Sequence, residues 1–374
     1  MTPVRYHLGR FPPQRLDLNR LIGLLGSARA NIGAYEATIA DISNIEMFFM
    51  PLSKQEAVSS TAIEGTLATL QDVLLFEAQG DIYNESTPER ADRREVLNYI
   101  TALQNATDSM TSDSARLTQA IVRRAHFDLM QGVRGQDKLP GEYRLMRDDI
   151  VVKKGSVTVY VPCPNDRIEL AMQAWEGYLH EDNLDPLLQV AITHAEFESI
   201  HPFLDGNGRI GRLLIPLSMF EKRLINRPNF YISESIEAYR DEYYERLRAV
   251  SRDNDWDGWC EFFLKMTILQ ARHNRSKALR ILALQRETRE SFARVTNSGY
   301  RDKVVDWIFE YPVFRVPDFA RATGVPMQSA RELFRRLKDL RVLQELISAS
   351  GPKPAVLFFP ELLGICSESI GRSV

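Results

Sequence analysis

Within twelve residues, His201-Pro202-Phe203-Leu204-Asp205-Gly206-Asn207-Gly208-Arg209-Ile210-Gly211-Arg212, the chain gathers an imidazole, a carboxylate, a glycine-rich turn and two guanidinium groups. An imidazole titrates near pH ~6.5, so a neutral His201 can take a proton from an attacking hydroxyl. Asp205 is an oxygen ligand of the kind Mg²⁺ accepts, usually one carboxylate completed by phosphate oxygens and waters. Gly206 and Gly208 lack Cβ, so their backbone N–H groups can approach a phosphate closely. Arg209 and Arg212 stand three apart and reach from one face of a helical turn, and planar guanidinium forks bind phosphate oxygens in pairs. The set is what polyphosphate chemistry asks for.

Two helices must hold that loop. Leu188 to Ile200 carries apolar residues at helical spacing, so His201 is expected to end a helix and face a cavity. From Arg209 the pattern RIGRLLIPLSMFEKRL opens a second amphipathic helix, which aims its free N–H groups and positive dipole end at the same spot. His194, Glu198 and His201 also fall at spacings that zinc sites use, but no HExxH is present, and His194 reads as a satisfied buried histidine.

The string resembles the signature of the Fic family, HxFx[D/E]GNGRxxR, at every defined position. The resemblance implies an all-α bundle that transfers AMP from ATP to a Ser, Thr or Tyr hydroxyl of a protein and releases pyrophosphate, with ATP and Mg²⁺ required. Carried onto this chain, it makes His201 the general base and Asp205 the Mg²⁺ ligand. Gly206, Asn207 and Gly208 become the anion hole around the α-phosphate, with Gly211 beside them. Arg209 and Arg212 become the clamps on the outer phosphates, and Phe203 the apolar anchor of the loop.

Ser60-Thr61-Ala62-Ile63-Glu64-Gly65 resembles the inhibitory motif [S/T]xxxE[G/N] of one class of the family. There the glutamate pairs with the second arginine of the signature, here Arg212, and excludes the productive pose of the γ-phosphate. A short helix from about Lys54 to Ile63, closed by Gly65, would place Glu64 at a helix end. Gly141 to Arg144 leads into a segment with period-two alternation at Val157, Val159 and Val161, which reads as a β-hairpin. By resemblance this is the flap, whose residues Ile150, Val151 and Val152 would register a target strand; a hairpin that merely covers a helix fits the sequence equally. Tyr243 and Tyr244 sit where relatives place an aromatic residue near the adenine, Tyr243 being the choice here, or they pack the helix. Trp256, Trp259, Phe262 and Phe263 repeat at helical spacing and read as core.

The chain has 374 residues, 44% of them hydrophobic, and a net charge of −3, which supports real cores and argues against a whole-protein nucleic-acid field. Three scattered cysteines, no signal-like start and no bilayer-length apolar run make the reducing cytoplasm the expected compartment, without membrane contact. We divide the chain into an N-terminal helical region (1–115), a catalytic core (116–284) and a C-terminal module (285–374). In the last, three short helices ending in QSARELFRRLKDLR precede two β-prone runs around Gly351-Pro352, the order of a winged helix. Its basic residues suit DNA, yet such modules also mediate protein contacts. The fold expected is therefore mainly α. An adenylyltransferase acting on a protein substrate or on itself, with the module serving target choice or dimerisation, competes with a DNA-binding regulator that senses nucleotide and with an enzyme that removes AMP.

Overall fold

The computed structural model describes residues 2–40, 42, 45–79, 87–112, 116–133, 137–144, 152–154, 157–182 and 184–371. The fold is mainly helical. α1 (Leu18–Ile39), α2 (Ile45–Ile63), α3 (Leu70–Gln79), α4 (Pro88–Ser112) and α5 (Gln119–Leu129) precede a small sheet, to which β1 (Val4–Arg5), β2 (Val152–Lys154) and β3 (Val157–Val161) contribute. α6 (Ile168–Leu179), α7 (Pro186–Ile200), α8 (Asn207–Glu221), α9 (Ser233–Ala238), α10 (Arg240–Asp253) and the long α11 (Trp256–Val295) follow. The C-terminal part runs α12 (Arg301–Glu310), β4 (Val313–Arg315), α13 (Val316–Thr323), α14 (Met327–Asp339), β5 (Gln344–Ile347), β6 (Val356–Phe358) and α15 (Pro360–Ser367).

Two apolar cores flank the pair α7–α8. One, built with α4, α5 and α6, includes Trp175, Phe197, Ile200, Phe203, Ile210 and Leu213. The other joins α1, α2, α11 and the C-terminal part, and takes Leu188, Ala191, Ile192 and Ala195 from α7 and Ile215 and Met219 from α8. α7 is thus buried nearly all round, as a helix covered on both sides must be. Asp185 starts it by accepting from the Leu187 N–H, with Pro186 at the first turn where its missing donor costs nothing. Trp256, Trp259, Phe262 and Phe263 lie in the second core.

α2 begins at Ile45 rather than near Lys54 and carries Pro51 inside it. Tertiary burial on α2, with Leu52, Ala57, Val58, Ser60 and Thr61 all enclosed, overrides the helix-breaking tendency of the proline. The hairpin pairs Lys153 with Thr158 and Lys154 with Val157, so the two lysines belong to β2 and not to the turn. β1, too short to leave a pattern in the chain, adds to β3 in parallel, Val4 opposite Tyr160 and Arg5 opposite Val161. It is fixed by a buried network in which His7 bridges Ser251 Oγ and Glu196 Oε2 at 2.8 Å each, while the Tyr6 hydroxyl donates to Glu196 Oε1 at 2.7 Å.

In the C-terminal part, β4, β6 and β5 form an antiparallel sheet in that order beside α12, α13 and α14. Ala330, Leu333, Phe334 and Leu337 bury one side of α14. The boundary drawn after residue 284 falls inside α11, which continues without interruption to Val295. The change of sequence texture there is a change in what covers the helix: Ile281, Leu284 and Phe292 remain buried on either side of it. α12 and α15 pack on α2, and β4 and β6 on α3. The Lys277 ammonium donates to Glu234 Oε1 at 2.6 Å and to the Cys366 carbonyl at 2.8 Å, fastening α15 to α9 and α11.

Candidate functional site

α7 ends at His201, whose backbone turns left-handed (φ 53°, ψ 61°) while its N–H still donates to the Phe197 carbonyl. The reversal throws the imidazole out of the helix into the space before α8. Arg144, buried, holds the turn from below. Its Nε donates to the His201 carbonyl at 2.9 Å, Nη2 to the carbonyls of Cys163 and Ile200, and its own N–H to Pro202. His201 Nδ1 lies 3.4 Å from the Glu198 carbonyl, an acceptor only, which assigns the proton to Nδ1 and leaves the Nε2 lone pair free. Burial pulls the imidazole pKa down to about 4, so His201 is neutral at pH 7.

The loop is then wound tightly. Asn207 Oδ1 accepts from the Phe203 N–H and its Nδ2 donates to the Phe203 carbonyl, both at 2.8 Å. Both side-chain heteroatoms of Asn207 are thereby spent on the loop, so neither is left for the anion-hole role expected of this residue. Phe203 is fully buried and stacks on His126, centroids 3.8 Å apart and planes within 4°. His126 Nδ1 accepts from the Gly141 N–H at 2.8 Å, so its Nε2–H donates to the Asp205 carbonyl at 3.0 Å. Burial lowers its pKa to about 4, which keeps that one-donor, one-acceptor form in place. Gly206 caps α8 in the left-handed region (φ 75°), and a Cβ there would meet Met130 Sδ at 3.1 Å. Beyond it, the N–H groups of Asn207, Gly208 and Arg209 have no carbonyl one turn back and point out of the helix end.

These pieces line a cavity of about 410 Å³ bounded by Glu64, Thr66, Glu95, Lys138, His201 and the residues from Leu204 to Arg209. Arg209 Nη1 donates to Glu95 Oε2 at 3.1 Å and Nη2 approaches Asp205 Oδ1 at 3.4 Å. Burial raises the Asp205 carboxyl, but Lys138 and Arg209 outweigh it and hold the group below its usual range, as an anion. Lys138 Nζ sits 2.7 Å from Asp205 Oδ2.

Arg212 is wholly enclosed. Its Nε donates to Ser60 Oγ at 3.0 Å, and Nη2 to the Ser60 carbonyl and to Glu64 Oε1, both at 2.8 Å. Glu64 stands just beyond the end of α2, where Gly65 (φ 101°) turns the chain away. Against the upward push of burial, Arg212 keeps the Glu64 carboxyl below its usual range. A Cβ on Gly208 would lie 2.3 Å from Glu64 Oε1, so the carboxylate rests on the first turn of α8.

Two residues expected at the nucleotide are placed elsewhere. Gly211 faces α7: a Cβ there would meet Glu198 Oε1 at 2.2 Å, and its carbonyl accepts from His194 Nδ1 at 3.0 Å, so its smallness serves helix packing. Tyr243 is fully buried in the aromatic group around Trp259, and its hydroxyl donates to His194 Nε2 at 2.9 Å, leaving no face for a base. Both nitrogens of His194 are thus used, and among the described residues no acidic, histidine and cysteine cluster suits a metal. Tyr244, one residue on, opens instead onto an apolar pocket with Val152, Val159, Tyr160, Leu247 and the Glu198 carboxyl, which burial pushes up to about 7. His201 lines this pocket as well as the polar cavity and so stands between them. Ile150 and Val151 of the expected flap lie outside the described residues; Val152 is half-buried.

Residues missed from sequence are His126, Arg144 and Lys138. Arg144 carried a faint signal as the end of Gly-Glu-Tyr-Arg, whereas His126 and Lys138 carried none. Among the described residues no helix is long and apolar enough to cross a membrane.

Comparison with known proteins agrees with this geometry. A model of the Fic/DOC family matches residues 116–219, and one of the Fic/DOC family N-terminal region matches residues 22–108. The protein adenylyltransferase Fic of Drosophila virilis is 31% identical over 250 residues, which are 64% of this chain and 45% of that protein. The protein of the same name from Drosophila yakuba is 31% identical over 208 residues, 53% and 37% respectively. The match therefore spans less than half the length of these relatives. A crystal structure of a Fic family protein from Desulfovibrio desulfuricans G20 superposes with a TM-score of 0.59 at 20% identity, covering 93% of this chain and 98% of that one. A Fic domain containing signaling protein from Bacteroides thetaiotaomicron VPI-5482 gives 0.52 at 17% identity, covering 67% and 97%. These two likenesses speak for the fold. With both family regions matched and a fully intact signature inside the second of them along the chain, the chain belongs to the Fic/DOC family.

Proposed function

We propose that the protein is an adenylyltransferase that moves AMP from ATP to a hydroxyl of a protein, itself included, and that Glu64 restrains it. The observation that carries the reading is the position of His201, a neutral imidazole between a polar cavity floored by free helix N–H groups and an apolar pocket that Tyr244 lines. The triphosphate lies along the first turn of α8, where the N–H groups of Asn207, Gly208 and Arg209 and the dipole favour anions. The adenine enters the apolar pocket against Tyr244.

His201 Nε2 takes the proton of the acceptor hydroxyl, whose oxygen attacks the α-phosphorus. The bond from that phosphorus to the bridging oxygen breaks, and pyrophosphate leaves with the electron pair. The helix N–H groups stabilise charge on the α-phosphoryl oxygens, and Arg209 charge on the leaving group, so catalysis is chiefly positioning and electrostatics. The residues fit Mg²⁺: Asp205 offers one ionised, part-exposed carboxylate to the cavity, and an ammonium already lies against Oδ2. When bound there, Mg²⁺ would neutralise phosphate charge. Glu64, a carboxylate resting where an outer phosphate would meet Gly208 and Arg212, opposes the productive triphosphate. Val152 and its neighbours on the flap would present the acceptor strand by edge pairing.

We read the C-terminal part as a winged helix that makes protein contacts. Three basic side chains of α14 are already paired within the module, Arg335 with Glu332 and Asp339, Arg336 with Glu332, and Lys338 with Glu345. That favours a solvated face over a phosphate-binding one. The test is incubation of the full chain with Mg²⁺ and α-labelled ATP, beside Glu64→Gly and His201→Ala. Covalent label that rises in the first variant and vanishes in the second is expected; salt-dependent duplex binding without any label would overturn the reading.

A further inference from the structure

Resting on that reading, we propose that Lys138, outside the signature, is a substrate-contacting residue: its ammonium occupies the Asp205 carboxylate until MgATP enters, then transfers to the outer phosphates and the leaving pyrophosphate.

The geometry gives one carboxylate two cations. Lys138 Nζ lies 2.7 Å from Oδ2 of Asp205 and Arg209 Nη2 lies 3.4 Å from Oδ1. The two partners differ in freedom. The Arg209 side chain is 6% exposed and also tied to Glu95, whereas the Lys138 side chain is 45% exposed, and the Asp205 side chain 35%. An ion pair so open to water adds little to stability, so Lys138 is not needed there to hold the fold. It can be displaced at small cost.

A divalent ion taking Oδ2 would sit within a few ångströms of the ammonium, and like charges would drive the two apart. On its C-terminal side the backbone of the lysine is held. Three residues on, Gly141 donates to His126 Nδ1 at 2.8 Å and accepts from Arg123 Nε at 2.9 Å, and Glu142 N–H closes a turn on the Leu139 carbonyl. The four-carbon side chain can swing, and it does so inside the cavity that Arg209 and the first turn of α8 also line. A triphosphate in that cavity offers the oxygens that replace Asp205. Lysine suits this task because its ammonium is a mobile point charge and not a fixed fork. Metal arriving alone offers the ammonium no such partner, so Asp205 should take up metal well only together with nucleotide.

The test uses the full chain with Glu64→Gly and His201→Ala, so that nucleotide can enter and is not consumed. Calorimetry with ATP and Mg²⁺ is compared for Lys138, Lys138→Met and Lys138→Arg, with AMP as the probe lacking outer phosphates. Spin-resonance titration with Mn²⁺ alone reads the Asp205 site directly. We expect Lys138→Met to weaken ATP binding by on the order of tenfold, Lys138→Arg to restore part of it, AMP binding to stay level, and Mn²⁺ binding without nucleotide to tighten. Equal ATP affinity in all three proteins, or an equal loss for ATP and AMP, would overturn the proposal alone. Failure of ATP to bind even with Lys138 intact would overturn the proposed function as well.

Discussion

Arg209 and Arg212 leave the same helix one turn apart, and the molecule treats them oppositely. Arg209 lines the polar cavity, and both of its partners there, Glu95 and Asp205, are side chains that line it too. Arg212 is closed in by α2, with two of its three bonds going to Ser60 and one to Glu64. Under the proposed function, the difference would let the chain hold a binding site in readiness and in check at once. Ser60 fixes the plane of the guanidinium whatever Glu64 does, so release of the glutamate would leave Arg212 already aimed, and only the carboxylate has to move.

The sharpest way to break this contrast is at the base that serves both regions. His201→Ala should lower AMP incorporation by roughly 10²- to 10⁴-fold while ATP binding by calorimetry stays level; a parallel loss of binding would mean that the imidazole props the loop. Next in size is the glutamate. Glu64→Gly should raise self-labelling roughly 5- to 150-fold, the range of ordinary coupling between sites. Arg212→Ala in that background should then cost activity, and no cost would leave Arg212 purely structural. On the apolar side, Tyr244→Ala should weaken ATP binding by about 1–3 kcal/mol. Tyr243→Phe should instead spare affinity and cost about 1 kcal/mol of stability in urea, since it deletes the donor to His194. The smallest effect is in pH. The base works as the neutral imidazole, present above its pKa, so labelling by the Glu64→Gly protein should stay level as pH falls from 7 and drop only near 4. A drop at the free imidazole value of ~6.5 would show that burial does not govern His201.

The signature was legible because its parts are contiguous: one stretch of twelve residues supplies the imidazole, the carboxylate, the helix N-terminus and both arginines. Glu64 was legible as a short motif, although its partner lies 148 residues away. What escaped the sequence is what depends on tertiary approach. His126 meets Asp205 across 79 residues and Arg144 meets His201 across 57, and neither separation leaves a pattern in the chain. Tyr243 and Tyr244 show the limit of periodicity. Neighbours on a helix point about 100° apart, and only the packing of Trp259 and His194 decides which of them is enclosed. β1 is two residues long and acquires its role solely from the strand it meets. The short helices and β-prone runs of the C-terminal part were readable from turns and short apolar stretches, but its attachment was not, because one continuous helix crosses the boundary that the composition marked.

That attachment bears on how the protein can be cut. α2 presents one flank to α4 and α8 and another to α12 and α15, so the residues that restrain Arg212 hang on a wall shared by both halves. Trimming the chain after residue 284 would sever α11 in mid-run and bare that wall to solvent. Activity gained by such a fragment would report a loosened support for Glu64 and not the loss of a tethered regulator, and a folded shortened enzyme would need polar replacements on the uncovered face of α2.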